Sequence, residues 1–230
     1  MIKGFSQYIN EQYANPQETI DLKYGNPQRY QKESMDQGSD VFNAAKNSDL
    51  WDKWTSKVPP PQNSEEIIKE MQALQLTCDS LTKEDKEFCK DAEDDMLGVY
   101  EKFLKLNGID QIKKEDLKEI TKRLDPVTYS LKYHFNYPRP YQLAFANGIN
   151  LYPAQPTDAC SPSYPSGHSI DSFVIGGLLS KKFPQLKKDI QSLAERISNS
   201  RIQGGIHFLI DARFGREIAD DILSLDILSL

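Results

Sequence analysis

Along most of the chain, apolar residues recur at helical spacing. Ile67, Met71 and Leu74 share one face of a segment that Asn63 opens with Glu66 three residues on, a capping-box arrangement. Thr82 with Asp85 starts the next helix, whose stripe of Phe88, Ala92, Met96, Tyr100 and Phe103 runs to a stop at Asn107-Gly108. A shorter helix carries Leu117, Ile120 and Leu124. Asp125-Pro126 then predicts a fresh N-cap with proline in the first helical position, and a helix through Leu131, Lys132 and Phe135 that Pro138 and Pro140 end. Ser166 reads as the cap of a buried helix bearing Ile170, Phe173, Val174, Gly177 and Leu178. Leu186, Ile190, Leu193 and Ile197 form the following stripe, and Phe208 to Leu223 the last. No run alternates as a strand does, so the pattern predicts an all-α helical bundle.

The first 58 residues depart from this pattern. Rich in Gln, Asn, Tyr and charge, they hold too little aliphatic surface for a core of their own. Residues 1–58 are therefore expected to be a polar N-terminal arm, partly disordered, with residues 59–230 forming the helical domain. Within the arm, Val41, Phe42, Ala45, Leu50, Trp51 and Trp54 predict one or two short helices docked through their aromatic rings, and Pro59-Pro60-Pro61 a stiff extended spacer. At the other end, Asp221-Ile222-Leu223-Ser224-Leu225 is repeated by Asp226-Ile227-Leu228-Ser229-Leu230. A five-residue period fits neither helix nor strand, so a helix end and a tail over a core or subunit contact are expected, with a partner-binding tip as the alternative.

Composition narrows the function classes. A chain of 230 residues with 38% hydrophobic content supports one substantial domain and an appendage, not two cores. Its longest run without a polar side chain, Phe173 to Leu179, falls far short of the ~20 apolar residues of a membrane helix, so no membrane partner is expected. The first residues show neither an apolar stretch nor a small-residue cleavage site, and no secretory signal is expected. A net charge of −6 speaks against a broad nucleic-acid surface but not against a local basic pocket. Cys78, Cys89 and Cys160 contain no CxxC pair; three free thiols in a reducing compartment are expected, with one bridge and one leftover thiol as the alternative.

The chemistry concentrates in three segments: Lys132 with Arg139-Pro140; Pro165-Ser166-Gly167-His168; and Ser200-Arg201 with His207 and Asp211. Three cations from three segments would repel one another in a packed interior unless an anion sat among them. Arginine forks match the faces of a phosphate, and lysine supplies a point charge. With Ser166 as N-cap, the backbone N–H groups of Gly167 and His168 face outward at a helix start, and Gly167 has no side chain to hold a ligand off. Asp211 lies one helical turn from His207, where its carboxylate can accept from Nδ1–H and leave Nε2 free as nucleophile or base. His168 would stand across the phosphate, an arrangement for in-line displacement. A metal site on His168, His207 and Asp211 is disfavoured, since the ring of cations would repel the ion. His134 has no partner pattern and reads as structural or exposed.

These segments resemble the tripartite signature of the type-2 phosphatidic acid phosphatase superfamily, KxxxxxxRP, PSGH and SRxxxxxHxxxD, and match it at every specified position. Within the superfamily the chain is similar to the class A bacterial nonspecific acid phosphatases, which share Tyr164 before PSGH and a proline-rich stretch upstream. The resemblance implies a helical bundle of the phosphatase and vanadium haloperoxidase kind, hydrolysing small phosphate monoesters without a metal or other cofactor. It implies His207 as the nucleophile of a phosphohistidine, Asp211 as its orienting carboxylate and His168 as the proton donor that later activates water. Lys132, Arg139, Ser166, Gly167 and Arg201 would bind the phosphoryl oxygens. It also implies inhibition by vanadate, a mimic of the trigonal-bipyramidal phosphorus.

Phe5-Ser6-Gln7-Tyr8-Ile9-Asn10-Glu11 resembles the capsid-targeting leaders of internal proteins in T4-like tailed phages, which implies a phage-encoded enzyme packaged in the virion or resident in the host cytoplasm rather than the periplasm. Two other readings stand beside the phosphatase: a vanadium-dependent haloperoxidase, and a non-catalytic virion or interaction protein on the same scaffold. A homo-oligomer is also left open. Residues between Tyr141 and Ser163 are expected at the pocket mouth, where Tyr141, Phe145, Tyr152 and Tyr164 either stack on an aromatic leaving group or pack against neighbouring helices.

Overall fold

The computed structural model describes residues 23–25, 29–154, 159 and 161–230. Its regular elements are α1 (Arg29–Gln37), α2 (Asp40–Lys46), α3 (Leu50–Thr55), α4 (Glu65–Ser80), α5 (Lys83–Leu106), α6 (Lys114–Phe135), α7 (Pro140–Ala146), α8 (Gly167–Lys182), a 3-10 turn at Pro184–Leu186, α9 (Lys187–Gln203) and α10 (Leu209–Ser224). No strand occurs among the described residues, in agreement with the all-α expectation. The leader-like segment at residues 5–11 and Cys160 lie outside the described residues; Cys78 and Cys89 are buried free thiols. Among the described residues, no helix is long and apolar enough to cross a membrane.

Helix α8 is the axis of the bundle. Apolar almost all round, it packs against α9, α10 and α6, with Ile170, Val174, Ile175 and Leu179 wholly buried. Burial of a Leu, Ile or Val side chain is worth ~1.5–3 kcal/mol, so these four fix the helix that carries the PSGH segment at its start. The arm helices are not separate from this core. Helices α1 to α3 lie on α6, and Val41, Ala45 and Trp54 are fully buried. Ser39 Oγ caps α2 by accepting from Phe42 N at 3.0 Å and donates to the Arg123 carbonyl at 2.7 Å, while Trp54 Nε1 donates to Asp221 at 2.8 Å. The proline-rich spacer is tied down by two phenols: Tyr137 donates to the Pro60 carbonyl and Tyr164 to that of Lys57, both at 3.0 Å. After α10 the tail folds back, with Leu228 buried and the Ile227 carbonyl accepting from Arg123 at 2.9 Å.

Three local expectations are corrected. The cap of α4 is Ser64, not Asn63: its side chain accepts from Ile67 N at 3.3 Å. Asp125-Pro126 does not start a helix, because α6 runs unbroken from Lys114 to Phe135 with Pro126 inside it. Leu117, Ile120, Leu124, Val127 and Leu131 are all buried and follow alternating steps of three and four residues, so one straight helix is needed to seat them together. Their burial outweighs the ~3 kcal/mol that an interior proline costs a helix. Helix α5 is broken at Asp95 (φ −156°, ψ 67°), where the side chain accepts from Gly98 N at 2.9 Å and so restarts the helix as an N-cap would.

Candidate active site

The last turn of α6, the start of α7, the start of α8 and the loop from α9 to α10 meet around one cavity of about 260 Å³. Lys132, Arg139, Gly167, His168, Arg201 and His207 line it, so all three motif segments converge. Asp211 and Ser166 stand behind the wall. The Ser166 side chain accepts from Ser169 N at 3.3 Å and so caps α8, which aims the N–H groups of that first turn at the cavity. Two glycines permit the approach of the elements. A Cβ on Gly167 would lie 3.2 Å from Thr128 Cγ2 and 3.7 Å from Lys132 Cε. On Gly215 it would lie 2.8 Å from both the Ser166 carbonyl oxygen and Ser169 Cβ, so α10 can press against the PSGH turn only without a side chain there.

The spacing of the third motif is explained by a tight reversal. Arg201 sits in the last turn of α9, and its carbonyl accepts from Ile206 N at 3.1 Å and His207 N at 3.3 Å. His207 therefore precedes α10 instead of riding on it, and Phe208 is the N-cap residue. Asp211 Oδ2 accepts from Phe208 N at 2.9 Å, from His207 Nδ1 at 2.9 Å and from the Ser163 hydroxyl. The carboxylate that closes the helix start thus also orients the imidazole. Arg139 Nη1 contacts His207 Nε2 at 3.0 Å, and a guanidinium can only donate. Nε2 must therefore carry the lone pair and Nδ1 the proton, the tautomer a nucleophile needs. Burial, reinforced by Arg139, Lys132, Arg201 and His168, holds His207 well below the ordinary histidine range and keeps it neutral. Burial pushes Asp211 up to about 7, against the opposing hydrogen bonds from Ser163 and Phe208.

The cations are buried and incompletely satisfied. Lys132 Nζ donates to the Pro162 carbonyl at 2.6 Å and that of Ser163 at 3.3 Å. Arg139 holds the Ser161 carbonyl through Nε at 3.0 Å and that of Ile206 through Nη1 at 3.3 Å. Arg201, 2% exposed, pairs through Nη2 with Glu93, while its buried Nε has no hydrogen-bond partner among the described residues. Burial, with Arg139 beside it, pulls the Lys132 ammonium well below its usual range. An anion in the cavity would relieve each of these conditions.

His168 lines the same cavity as His207. Burial and then Arg201, Arg139 and Lys132 hold its imidazole well below the ordinary value, opposed by a hydrogen bond to the Ala92 carbonyl. That carbonyl lies on α5 within one turn of the break at Asp95. With one ring nitrogen donating to Ala92, the other is left to exchange protons with a ligand.

Ala159 and Ser161 line the cavity from the stretch expected at its mouth, whereas Glu93, Asp125, Thr128, Tyr129 and Asp171 escaped the sequence reading. Asp125, Thr128, Tyr129 and Lys132 are spaced as one helical face, which was a usable sign once Lys132 had been singled out. Ser163 was missed because its role depends on a tertiary contact. The aromatic pocket mouth is corrected in part. Tyr141 and Tyr164 are buried, Tyr164 stacked on Phe214 at 4.8 Å between centroids, and Phe145 and Tyr152 are exposed away from the cavity; the lining aromatic is Tyr129. His134 is exposed and meets only the Phe135 ring edge-on. Among the described residues, no group of three or more His, Cys, Asp or Glu side chains is arranged to hold a metal ion.

No curated protein matches the chain. A family model described as PAP2 superfamily matches residues 123–219, from just before Asp125 to within α10, and so covers Lys132, Arg139, His168, Arg201 and His207. Over this segment the chain is similar to the PAP2 superfamily, that of the type-2 phosphatidic acid phosphatases.

Proposed function

We propose that the chain is a metal-independent acid phosphatase that hydrolyses small phosphate monoesters through a phosphohistidine at His207. The match of residues 123–219 to the PAP2 superfamily supports phosphatase-type activity. The finer reading is carried by one observation: a neutral His207 with its Nε2 lone pair turned to Arg139, in a cavity that Lys132, Arg139, Arg201 and His168 also line.

In this mechanism the phosphoryl group displaces Arg139 from Nε2 and is held by the three cations and the N–H groups at the start of α8. Nε2 attacks phosphorus in line, forming the P–N bond as the P–O bond to the alcohol breaks, and His168 gives its proton to the departing oxygen. His168, now neutral, takes a proton from water, whose oxygen attacks phosphorus and frees His207 and inorganic phosphate. The depressed proton affinity of His168 is compatible with this role. A bound phosphate offsets the cations that depress it, so the imidazole gains its proton when substrate is present.

Hydrolysis of p-nitrophenyl phosphate in saturating EDTA tests the proposal. Turnover should persist, vanadate should inhibit it, His207→Ala should abolish it and His168→Ala should accumulate phosphoenzyme. Full activity of the His207 variant would overturn the mechanism.

A further inference from the structure

The cavity has a second half that phosphate binding does not use. Helix α6 ends at the phosphate pocket with Lys132 in its last turn, and α8 begins there with Gly167 and His168. Running back along α6 from Lys132, the lining residues are Tyr129, Thr128 and Asp125; running on along α8 from His168, the next is Asp171. At ~1.5 Å of rise per residue, Asp125 lies ~10 Å along the axis from Lys132, with Thr128 near midway, and Asp171 lies ~5 Å beyond His168. The acids therefore sit past the imidazole that protonates the leaving oxygen, where the leaving group must extend.

Neither carboxyl group makes an ion pair or side-chain hydrogen bond among the described residues. Burial, and then the field of Asp125, hold the Asp171 carboxyl well above the ordinary carboxylate range, opposed by Lys132. Thr128 gives an independent sign of a ligand: 5% exposed and on the same wall, its Oγ1 is buried without a hydrogen-bond partner. Two unpaired acids and an unsatisfied hydroxyl are costly on a buried cavity wall. A phosphate dianion in the same 260 Å³ makes the acids worse placed, because it adds repulsion. A neutral alcohol leaves that repulsion standing. A leaving group with a positive charge cancels it, and an ammonium also has donors for both carboxylates and the Thr128 hydroxyl.

We propose that Asp125, Thr128 and Asp171 form a leaving-group subsite for a protonated amine, so that the enzyme selects small phosphate monoesters of amino alcohols. This rests on the phosphatase reading above. The cavity lies below the ~300–1,000 Å³ of sites for drug-sized ligands, which limits the substrate to a short carbon chain between ester and amine.

The test compares 2-aminoethyl phosphate with propyl phosphate, which has the same number of heavy atoms and no charge on the alcohol, by release of inorganic phosphate from the full-length protein at pH 7. The ratio of kcat/KM values should favour the amine by ~10-fold or more, the usual weight of a charge-assisted hydrogen bond. Asp125→Asn and Asp171→Asn should each bring that ratio toward one; because each ratio is taken within one protein, partial loss of folded material does not affect it. Equal kcat/KM for the two esters, a ratio unmoved in both variants, or preference for glycerol 1-phosphate over the amine would overturn the subsite while leaving a phosphatase. If neither ester is hydrolysed, the phosphatase reading fails, and calorimetry on the intact chain decides the subsite separately. Tighter binding of 2-aminoethyl than of propyl phosphate supports it, and equal binding overturns it.

Discussion

Asp125 should cost the protein stability, and the cost should depend on pH. Burial raises its carboxyl from the ordinary 3.8 to about 6, with no hydrogen bond to offset it. Below pH 4 the group is protonated in both folded and unfolded chains and costs little. As pH rises from 3.8 through about 6, the unfolded chain ionises first, so stability is lost across that window and stays lost above it. At ~1.36 kcal/mol per pKa unit the full loss is about 3 kcal/mol. Asp125 keeps part of its surface in water, and screening there reduces the expected figure to ~1–2 kcal/mol. Asp125→Asn is neutral at every pH and nearly isosteric, so it should be more stable than the parent by that amount at pH 8, with the gap shrinking toward pH 4. Urea unfolding of both proteins from pH 4 to 8 measures it through the shift in midpoint at constant slope. A variant no more stable at pH 8, or a gap that does not change with pH, would refute the reasoning. The same substitution should flatten the preference for an amine-bearing ester, the pattern of a group retained for function at the expense of stability.

Three further outcomes are expected. Gly215→Ala places a Cβ 2.8 Å from the Ser166 carbonyl oxygen, so it should destabilise the fold by ~1–3 kcal/mol in urea and lower kcat/KM by displacing the PSGH turn; an unchanged midpoint would show that α10 can move away freely. Asp95→Ala removes the cap that restarts α5, for ~1 kcal/mol, and should disturb the limb of the pH–rate profile that reports His168, whereas Asp95→Asn, also a good cap, should restore the parent profile; identical profiles for both would separate the break from the Ala92 contact. Ser163→Ala removes a hydrogen bond that favours ionised Asp211, so the carboxyl should rise further above about 7, and the acidic limb of kcat should move to higher pH with KM little changed; an unmoved limb would exclude Ser163 from positioning the pair.

Much of the fold was legible because the hydrophobic stripes are long and regular. The stripes of α4, α5, α8 and α10 end close to where their caps place them. The misplaced boundary at Pro126 came from weighing a local start signal above the stripe. Leu117 to Leu131 already contained the alternating three- and four-residue steps of a single helix, and tertiary burial decided the matter. The break at Asp95 was not legible, since Phe88, Ala92, Met96, Tyr100 and Phe103 keep helical spacing across it. The contact of the Ala92 carbonyl near that break with His168 was equally hidden, because His168 arrives from another helix.

The candidate site divides along similar lines. Lys132, Arg139, His168, Arg201 and His207 could be assembled from residue type and spacing, because catalysis at phosphorus needs those groups and few others. The acids opposite them carry no such signature, and Asp125 had a ready explanation as a helix cap. Helix α6 delivers its C-terminal turn, and α8 its N-terminal turn, to the phosphate end. Away from the phosphate end the lining of α6 changes from Lys132 to Asp125 within two turns, and on α8 Asp171 follows His168 by one turn. A net charge of −6 averages over that gradient and conceals it. A cavity with opposite charges at its two ends fits a substrate with the reverse polarity, which is why an anionic phosphate alone accounts for only half of its walls.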